Sequence, residues 1–247
     1  MTTRPVTRNG GDRDTHHASG LRHPLADGVV CVAEALAALR AGLPVLVTDD
    51  MGTPTRTEVV LAGCLARARW TAWMVRRSSG VLCVALDGAR ADHLDLPMMV
   101  ARHERHERPA YTISVDATRG VSTGISAADR SRTARVLADP GSGPADLIRP
   151  GHLLPVVIER GGVLTRAALP EAAADLCDLA GLPRVALTAE LVADTGPLLE
   201  PDEAKSLAAR HDLVALNLTD VVRHRLRHGD YSDPRVATHS FAAFVDW

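Results

Sequence analysis

Lysine is almost missing from this 247-residue chain, with Lys205 its only copy. That residue sits in a polar, helix-like stretch, which excludes a lysine Schiff-base mechanism, and recognition of phosphate or carboxylate falls to arginine forks. Aromatic residues are also scarce: there are seven, and four of them (Tyr231, Phe241, Phe244, Trp247) fall in the last 17 positions, so the tail is expected to dock on something. No run approaches the ~18 consecutive apolar residues that span a bilayer, and the N-terminus MTTRPVTRNGGDRDTHH is polar. A cytoplasmic protein with no membrane partner is the expectation. Neither sign of charge dominates, with 28 basic against 30 acidic residues, which removes the electrostatic footprint of a nucleic-acid binder. The four cysteines, Cys31, Cys64, Cys83 and Cys177, lack CxxC spacing and lie inside apolar runs. They read as reduced thiols rather than a disulfide or zinc framework.

What is present is 46% hydrophobic and 23% charged, the balance of a globular domain with a sizeable core. The chain divides into an unpatterned polar arm (1–22), one folded domain (23–229) and an aromatic extension (230–247). Within the domain, helical and extended patterns alternate. Helices are expected over 29–42, 65–77, 88–94, 127–138, 170–180, 201–210 and 219–227, and strands over 44–48, 58–62, 81–86, 111–117, 153–158, 184–191 and 213–218. This pattern predicts an α+β fold, α/β-like, in which helices cover a mixed sheet.

Several segments carry candidate chemistry. VTDDMGTPTRTE (47–58) follows a strand end, where Asp49 and Asp50 read either as metal- or proton-binding groups or as turn caps. STGISAADR (122–130) places Thr123 and Ser126 before a helix, as an anion site or an ordinary N-cap. RPGHLLP (149–155) sets His152 just ahead of a strand, suited to general acid or base work unless it is a bystander. Arg166 in ERGGVLTR (159–166) offers a fork for carboxylate or phosphate, with surface solvation as the alternative. Glu190 interrupts the apolar run RVALTAEL (184–191), so it needs a partner or a raised pKa, unless its parity points it to solvent. RHERHER (102–108) reads as a solvated charged hairpin, because its arginines repel a divalent ion.

The segments RRSSGVLC (76–83), LDLPMMV (94–100), STGISAADR (122–130), RPGHLLP (149–155), RGGVLTR (160–166), PEAAADL (170–176) and AEL (189–191) together resemble the 3,4-dihydroxy-2-butanone 4-phosphate synthase family of the riboflavin pathway. The resemblance runs over roughly residues 28–228. It implies a homodimer with active sites near the subunit interface. It also implies a magnesium-assisted conversion of ribulose 5-phosphate, through an enediol, a dehydration and a skeletal shift, into a four-carbon phosphate and formate. Carried over residue by residue, it makes His152, Glu190 and Cys83 catalytic and Arg166 substrate-binding. Asp49, Asp50, Glu58, Thr123 and Ser126 join the substrate-binding set.

The chain departs from the family pattern in two places. Where the family reads DDEDRENEGD this chain has DDMGTPTRTE, so Thr53 replaces a substrate-binding arginine, Pro54 a metal-binding glutamate and Glu58 an aspartate. Where the family reads RxGHTE it has RAALPE, which puts Leu169 at the second metal ligand and Pro170 at a substrate-binding threonine. Neither proline nor leucine offers magnesium an oxygen. These losses lead to the expectation of no metal and no cofactor, and of metal-independent dehydration, isomerisation or lyase chemistry on a small hydroxylated carbonyl compound. Two alternatives stand beside it: a silent homodimeric partner protein, and an authentic synthase whose site is rebuilt from Arg56, Glu58 or the 102–108 loop.

Overall fold

The computed structural model describes residues 28–100 and 109–228. The RHERHER segment, the 1–22 arm and the 230–247 extension lie outside the described residues. In chain order the elements are α1 (Gly28–Arg40), β1 (Val45–Asp49), β2 (Arg56–Ala62), α2 (Ala68–Arg77), β3 (Cys83–Asp87), α3 (Gly88–His93), β4 (Ala110–Tyr111), β5 (Val115–Ala117), α4 (Ala127–Ala138), β6 (Leu147–Ile158), α5 (Leu169–Leu179), β7 (Val185–Glu190), α6 (Pro201–Arg210), β8 (Val214–Asn217) and α7 (Leu218–His228).

The strands form one eight-stranded sheet in the order β4-β6-β3-β7-β2-β1-β8, with β5 added to β6. β3 runs parallel to β6 and β1 parallel to β8, while the pairs β3–β7, β7–β2 and β2–β1 are antiparallel. The predicted mixed α+β sheet is therefore what forms. Strand periodicity decides which helix covers which face. Leu46, Val59, Leu61 and Leu187 point into one core with Trp73 and Met74 of α2, Ala91 of α3, Leu137 of α4 and Leu207 of α6. Val45, Val47, Val60, Ala62 and Ala186 point to the opposite core, against Leu36 of α1, Leu176 of α5 and Val222 of α7. Each fully buried leucine contributes about 1.5–3 kcal/mol, so two apolar layers hold a sheet wide enough to carry a polar site at one end.

Two expectations need correcting. The predicted strand 111–117 is two short pieces, β4 and β5, each pairing antiparallel with β6 and separated by residues 112–114, and β5 itself shifts register between Val115 and Asp116. β6 begins at Leu147, so His152 lies inside a strand rather than before one. Arg149-Pro150-Gly151 reads as a turn, yet β5 and its approach clamp it, since Gly151 N–H donates to the Ser114 carbonyl at 3.1 Å. A Cβ on Gly151 would fall 2.1 Å from the Val115 carbonyl carbon, so only glycine lets the two backbones approach this closely.

Candidate active site

At the end of the sheet where β2 stops pairing with the β1 turn, a cleft of about 270 Å³ opens, lined among others by Arg56, Glu58, Cys83, Tyr111, Arg166, Thr188 and Glu190. The register builds it. Glu58 on β2 is the direct cross-strand partner of Glu190 on β7, and Cys83 on β3 is the partner of Thr188. Like charges placed directly opposite are destabilising in a sheet. The pair is thus a local fault in an otherwise consistent strand pattern, of the kind that marks functional sites.

The electrostatics follow from that pairing. Burial first, and then the neighbouring Glu190, push Glu58 up to about 7, against the opposing pull of the Thr188 hydroxyl and Arg56. Glu58 Oε2 and Glu190 Oε1 are both buried with no hydrogen-bond partner. Arg56 stands between acids, with Nη2 3.5 Å from Asp49 Oδ2 and Nε 4.0 Å from Glu190 Oε1. Burial, reinforced by Glu58 and Glu190, drives the Cys83 thiol to about 12, and a hydrogen bond from Tyr111 offsets only part of it. Cys83 is therefore a neutral thiol at ordinary pH, not a thiolate nucleophile. Tyr111 is likewise raised to about 12 by burial and by Cys83, Glu58 and Glu190, which keeps its phenol protonated as a donor.

His152 is held separately. Its Nδ1 lies 2.7 Å from Asp116 Oδ2 and its backbone N–H donates to Asp116 Oδ1 at 3.0 Å. Asp116 is 6% exposed, while the imidazole is 39% exposed. A carboxylate accepting from Nδ1–H leaves Nε2 as the basic nitrogen facing outward. Gly124 makes the arrangement possible: its φ is +82°, and a Cβ there would sit 1.9 Å from Asp116 Oδ2 and 2.6 Å from His152 Nδ1. Asp129 fixes the preceding loop by accepting from Ser122 Oγ at 2.8 Å and Gly124 N–H at 3.1 Å. The Ser122 bond, foremost, holds the Asp129 carboxyl below its usual range.

His152 does not line the cleft, yet the sheet brings it to the same end. Leu154 and Thr188 flank Cys83 on either side. His152 lies two residues before Leu154 on a strand parallel to β3, and Glu190 lies two residues after Thr188 on an antiparallel one. Both are displaced toward Val81, two strand spacings or roughly 10 Å apart across the sheet.

The other candidates divide. Asp49 accepts from Met51 and Gly52 N–H at 3.2 and 2.9 Å, the geometry of a turn cap. Asp50 accepts from Thr219 N–H at 3.1 Å and tethers the start of α7. Ser126 accepts from Asp129 N–H at 3.1 Å as the N-cap of α4, and Thr123 is exposed beside it. Arg166 does face the cleft, but its Nε donates to Glu171 Oε1 at 2.8 Å and its Nη2 to the same oxygen, so a fully buried carboxylate already absorbs its charge. Sequence reasoning missed Tyr111, Asp116 and the Glu58–Glu190 facing. Only strand register reveals the last, whereas an aspartate one strand from a histidine was a readable signal.

Comparison with known proteins bears on the same residues. The match to the family described as 3,4-dihydroxy-2-butanone 4-phosphate synthase covers residues 33–224. The riboflavin biosynthesis protein RibBA of Salinispora arenicola (strain CNS-205) is 44% identical over 196 residues, 79% of this chain and 47% of that protein. The 3,4-dihydroxy-2-butanone 4-phosphate synthase of Proteus mirabilis (strain HI4320) is 41% identical over 196 residues, 79% of this chain and 90% of that protein. The chain thus spans about half the length of the RibBA relatives. A crystal structure of a 3,4-dihydroxy-2-butanone 4-phosphate synthase in complex with two magnesium ions superimposes with a TM-score of 0.76 at 34% identity, covering 80% of this chain and 98% of that one. The Candida albicans synthase gives 0.73 at 37% identity, covering 78% and 96%.

The magnesium-bound relative corrects the expectation of no cofactor, which rested on Pro54 and Leu169 alone. Those two positions do not fit a metal, since Pro54 is exposed on a turn and Leu169 is 1% exposed in the α5 core. Among the described residues no three His, Cys, Asp or Glu side chains converge on one point. Two buried carboxylate oxygens of the cleft without hydrogen-bond partners, Glu58 Oε2 and Glu190 Oε1, are hard donors of the type magnesium takes, the second of them also facing Arg56. With the family match over residues 33–224, a relative 41% identical and covered to 90%, and the shared fold, the chain belongs to the 3,4-dihydroxy-2-butanone 4-phosphate synthase family.

Proposed function

We propose that this chain carries out the family reaction, splitting ribulose 5-phosphate into 3,4-dihydroxy-2-butanone 4-phosphate and formate. The observation that carries this reading is the acid/base cleft at one sheet end, with Glu58, Glu190 and Tyr111 on one side and the His152–Asp116 pair nearby. The atoms balance without a co-reactant, because the water lost in the dehydration returns when the one-carbon fragment leaves as formate. His152 Nε2, its ring fixed by Asp116, takes a proton from a carbon next to the carbonyl. Tyr111 donates a hydrogen bond to the developing oxyanion, and Glu190, as the acid, gives a proton to the hydroxyl that departs as water. A magnesium ion would supply Lewis-acid polarisation of the carbonyl, with Glu58 the cleft carboxylate that would hold it.

The homodimer and the small-molecule partner belong to the same proposal. Val81 and Ile125 are each 55% exposed and lie on one surface, since Arg130 donates to both the Gly80 and Ile125 carbonyls. That apolar rim beside His152 supports a second subunit covering the site. A second reading keeps the proton chemistry but moves it to a different hydroxylated carbonyl compound, and rests on Thr53 and Pro170 replacing two substrate-binding side chains. The test is formate release from ribulose 5-phosphate by the purified chain, with His152→Ala and Glu190→Gln as controls. Formate that disappears in both variants supports the family reaction. Its absence in the unaltered protein, with or without magnesium, favours the second reading.

A further inference from the structure

We infer that a second cavity, at the opposite end of the sheet from the catalytic cleft, binds a phosphorylated small molecule whose phosphate is gripped by Arg119, Arg132 and Arg135. The inference stands apart from the proposed reaction. Along β2, Ala62 lies roughly 13 Å from Glu58, and Cys64, in the helical turn Gly63–Leu65 that follows, lines this cavity of about 620 Å³.

The arginines are left without acids in a fold that pairs its others. Arg56, Arg77, Arg166, Arg184 and Arg225 each face an aspartate or glutamate. Among the described residues Arg119, Arg132 and Arg135 face none, although Asp139 and Asp146 line the same cavity. Those two acids are turned onto their own loop, Asp139 Oδ1 accepting from Gly141 N–H and Asp146 Oδ2 from Gly143 N–H, both at 2.9 Å. Arg132 and Arg135 stand three residues apart on one face of α4. Burial, and then the Arg132 charge beside it, pull the Arg135 guanidinium below its usual range. An anion placed between the two relieves that repulsion.

The donors are held in place without being used up. Arg135 Nη1 donates to the Ala66 carbonyl and Arg132 Nε to the Arg119 carbonyl at 3.4 Å. Each guanidinium carries five N–H groups, so most remain for a phosphate, whose oxygens match the arginine fork. The C-terminus of α4 would repel an anion through its last carbonyls. Arg90 removes that obstacle, because its guanidinium donates to the carbonyls of Val136, Leu137, Asp139 and Ser142, capping the helix and fixing the 139–142 rim. Val136, Pro140 and Pro183 give the cavity an apolar wall. Its volume far exceeds what inorganic phosphate fills, so the ligand class is a phosphate ester or anhydride with an organic body of about nucleotide size.

The experiment is isothermal titration calorimetry of the full chain in EDTA with adenosine diphosphate, inorganic phosphate and ribulose 5-phosphate in turn, repeated on Arg119→Gln and Arg132→Gln. Both side chains are exposed, so both variants should keep the circular dichroism spectrum and urea midpoint of the unaltered protein. One adenosine diphosphate per chain is expected, bound about tenfold or more weakly in each variant. Inorganic phosphate should bind more weakly than the nucleotide and compete with it. Ribulose 5-phosphate that binds more tightly than the nucleotide, and is lost in both variants, supports the site and makes a sugar phosphate its source. Binding of all three ligands that is equal in the unaltered protein and both variants overturns the inference, as does no heat from any of them at millimolar concentration. Sedimentation velocity supplies the remaining outcome: variants that change oligomeric state without changing ligand binding assign the arginines to a subunit contact and overturn it too.

Discussion

Replacing Glu58 by Gln should make the metal-free protein more stable at pH 8 and leave it nearly unchanged at pH 4.5. Burial and Glu190 raise the folded-state pKa of Glu58 from 4.5 to about 7. A carboxyl whose pKa is raised by folding holds its proton more tightly folded than unfolded. It is neutral in both states below pH 4.5, and stability falls as pH rises from there through 7. At 1.36 kcal/mol per pKa unit, the deficit above pH 7 is on the order of 3 kcal/mol. Glutamine keeps the shape and a hydrogen bond to Thr188 but carries no charge to bury beside Glu190, so it recovers most of that difference. The assay is urea unfolding in EDTA at pH 4.5 and pH 8, comparing midpoints at constant slope. A variant that is no more stable than the unaltered protein at pH 8 refutes the argument that the two glutamates are held together at the expense of stability.

Asp116→Asn should lower kcat by on the order of 100-fold or more with little change in KM, because the amide no longer fixes the His152 tautomer. Asp175 is fully buried against Arg184 and, at 3.5 Å, Arg225, and it accepts from Val163 N–H at 3.0 Å. Asp175→Ala strands those cations and should destabilise the fold by about 3–5 kcal/mol in denaturant titration. Iodoacetamide at pH 8 should label Cys83 more slowly than free cysteine by mass spectrometry, since its thiol stays protonated. Labelling at the rate of free cysteine would show that burial, with Glu58 and Glu190 beside it, does not hold the thiol protonated.

Much of the fold was readable because its helices and strands obey their own periods. The 127–138 helix was placed to the residue, helped by Ser126 as its cap and by a polar face interrupted by Leu137 and Val136. The early start of β6 was not readable, since Arg-Pro-Gly is turn chemistry and only the close packing of Gly151 on Val115 makes it extended. Within the site, Glu190 stood out as an acid in an apolar strand, and its cleft position follows from parity with Thr188. Its partner Glu58 carried no such signal, because an acid near a strand start is ordinary until the β2–β7 register sets the two opposite each other. The expectation of no metal fails on a magnesium-bound relative, because two substituted positions say nothing of what the rest of the chain offers an ion.

The most direct test of the account follows the substrate carbon. Ribulose 5-phosphate labelled with 13C at C4, incubated with the purified chain and magnesium, should yield labelled formate and an unlabelled four-carbon phosphate in nuclear magnetic resonance spectra, with both signals lost in EDTA. Unchanged substrate under both conditions, or label retained in the four-carbon product, would contradict it.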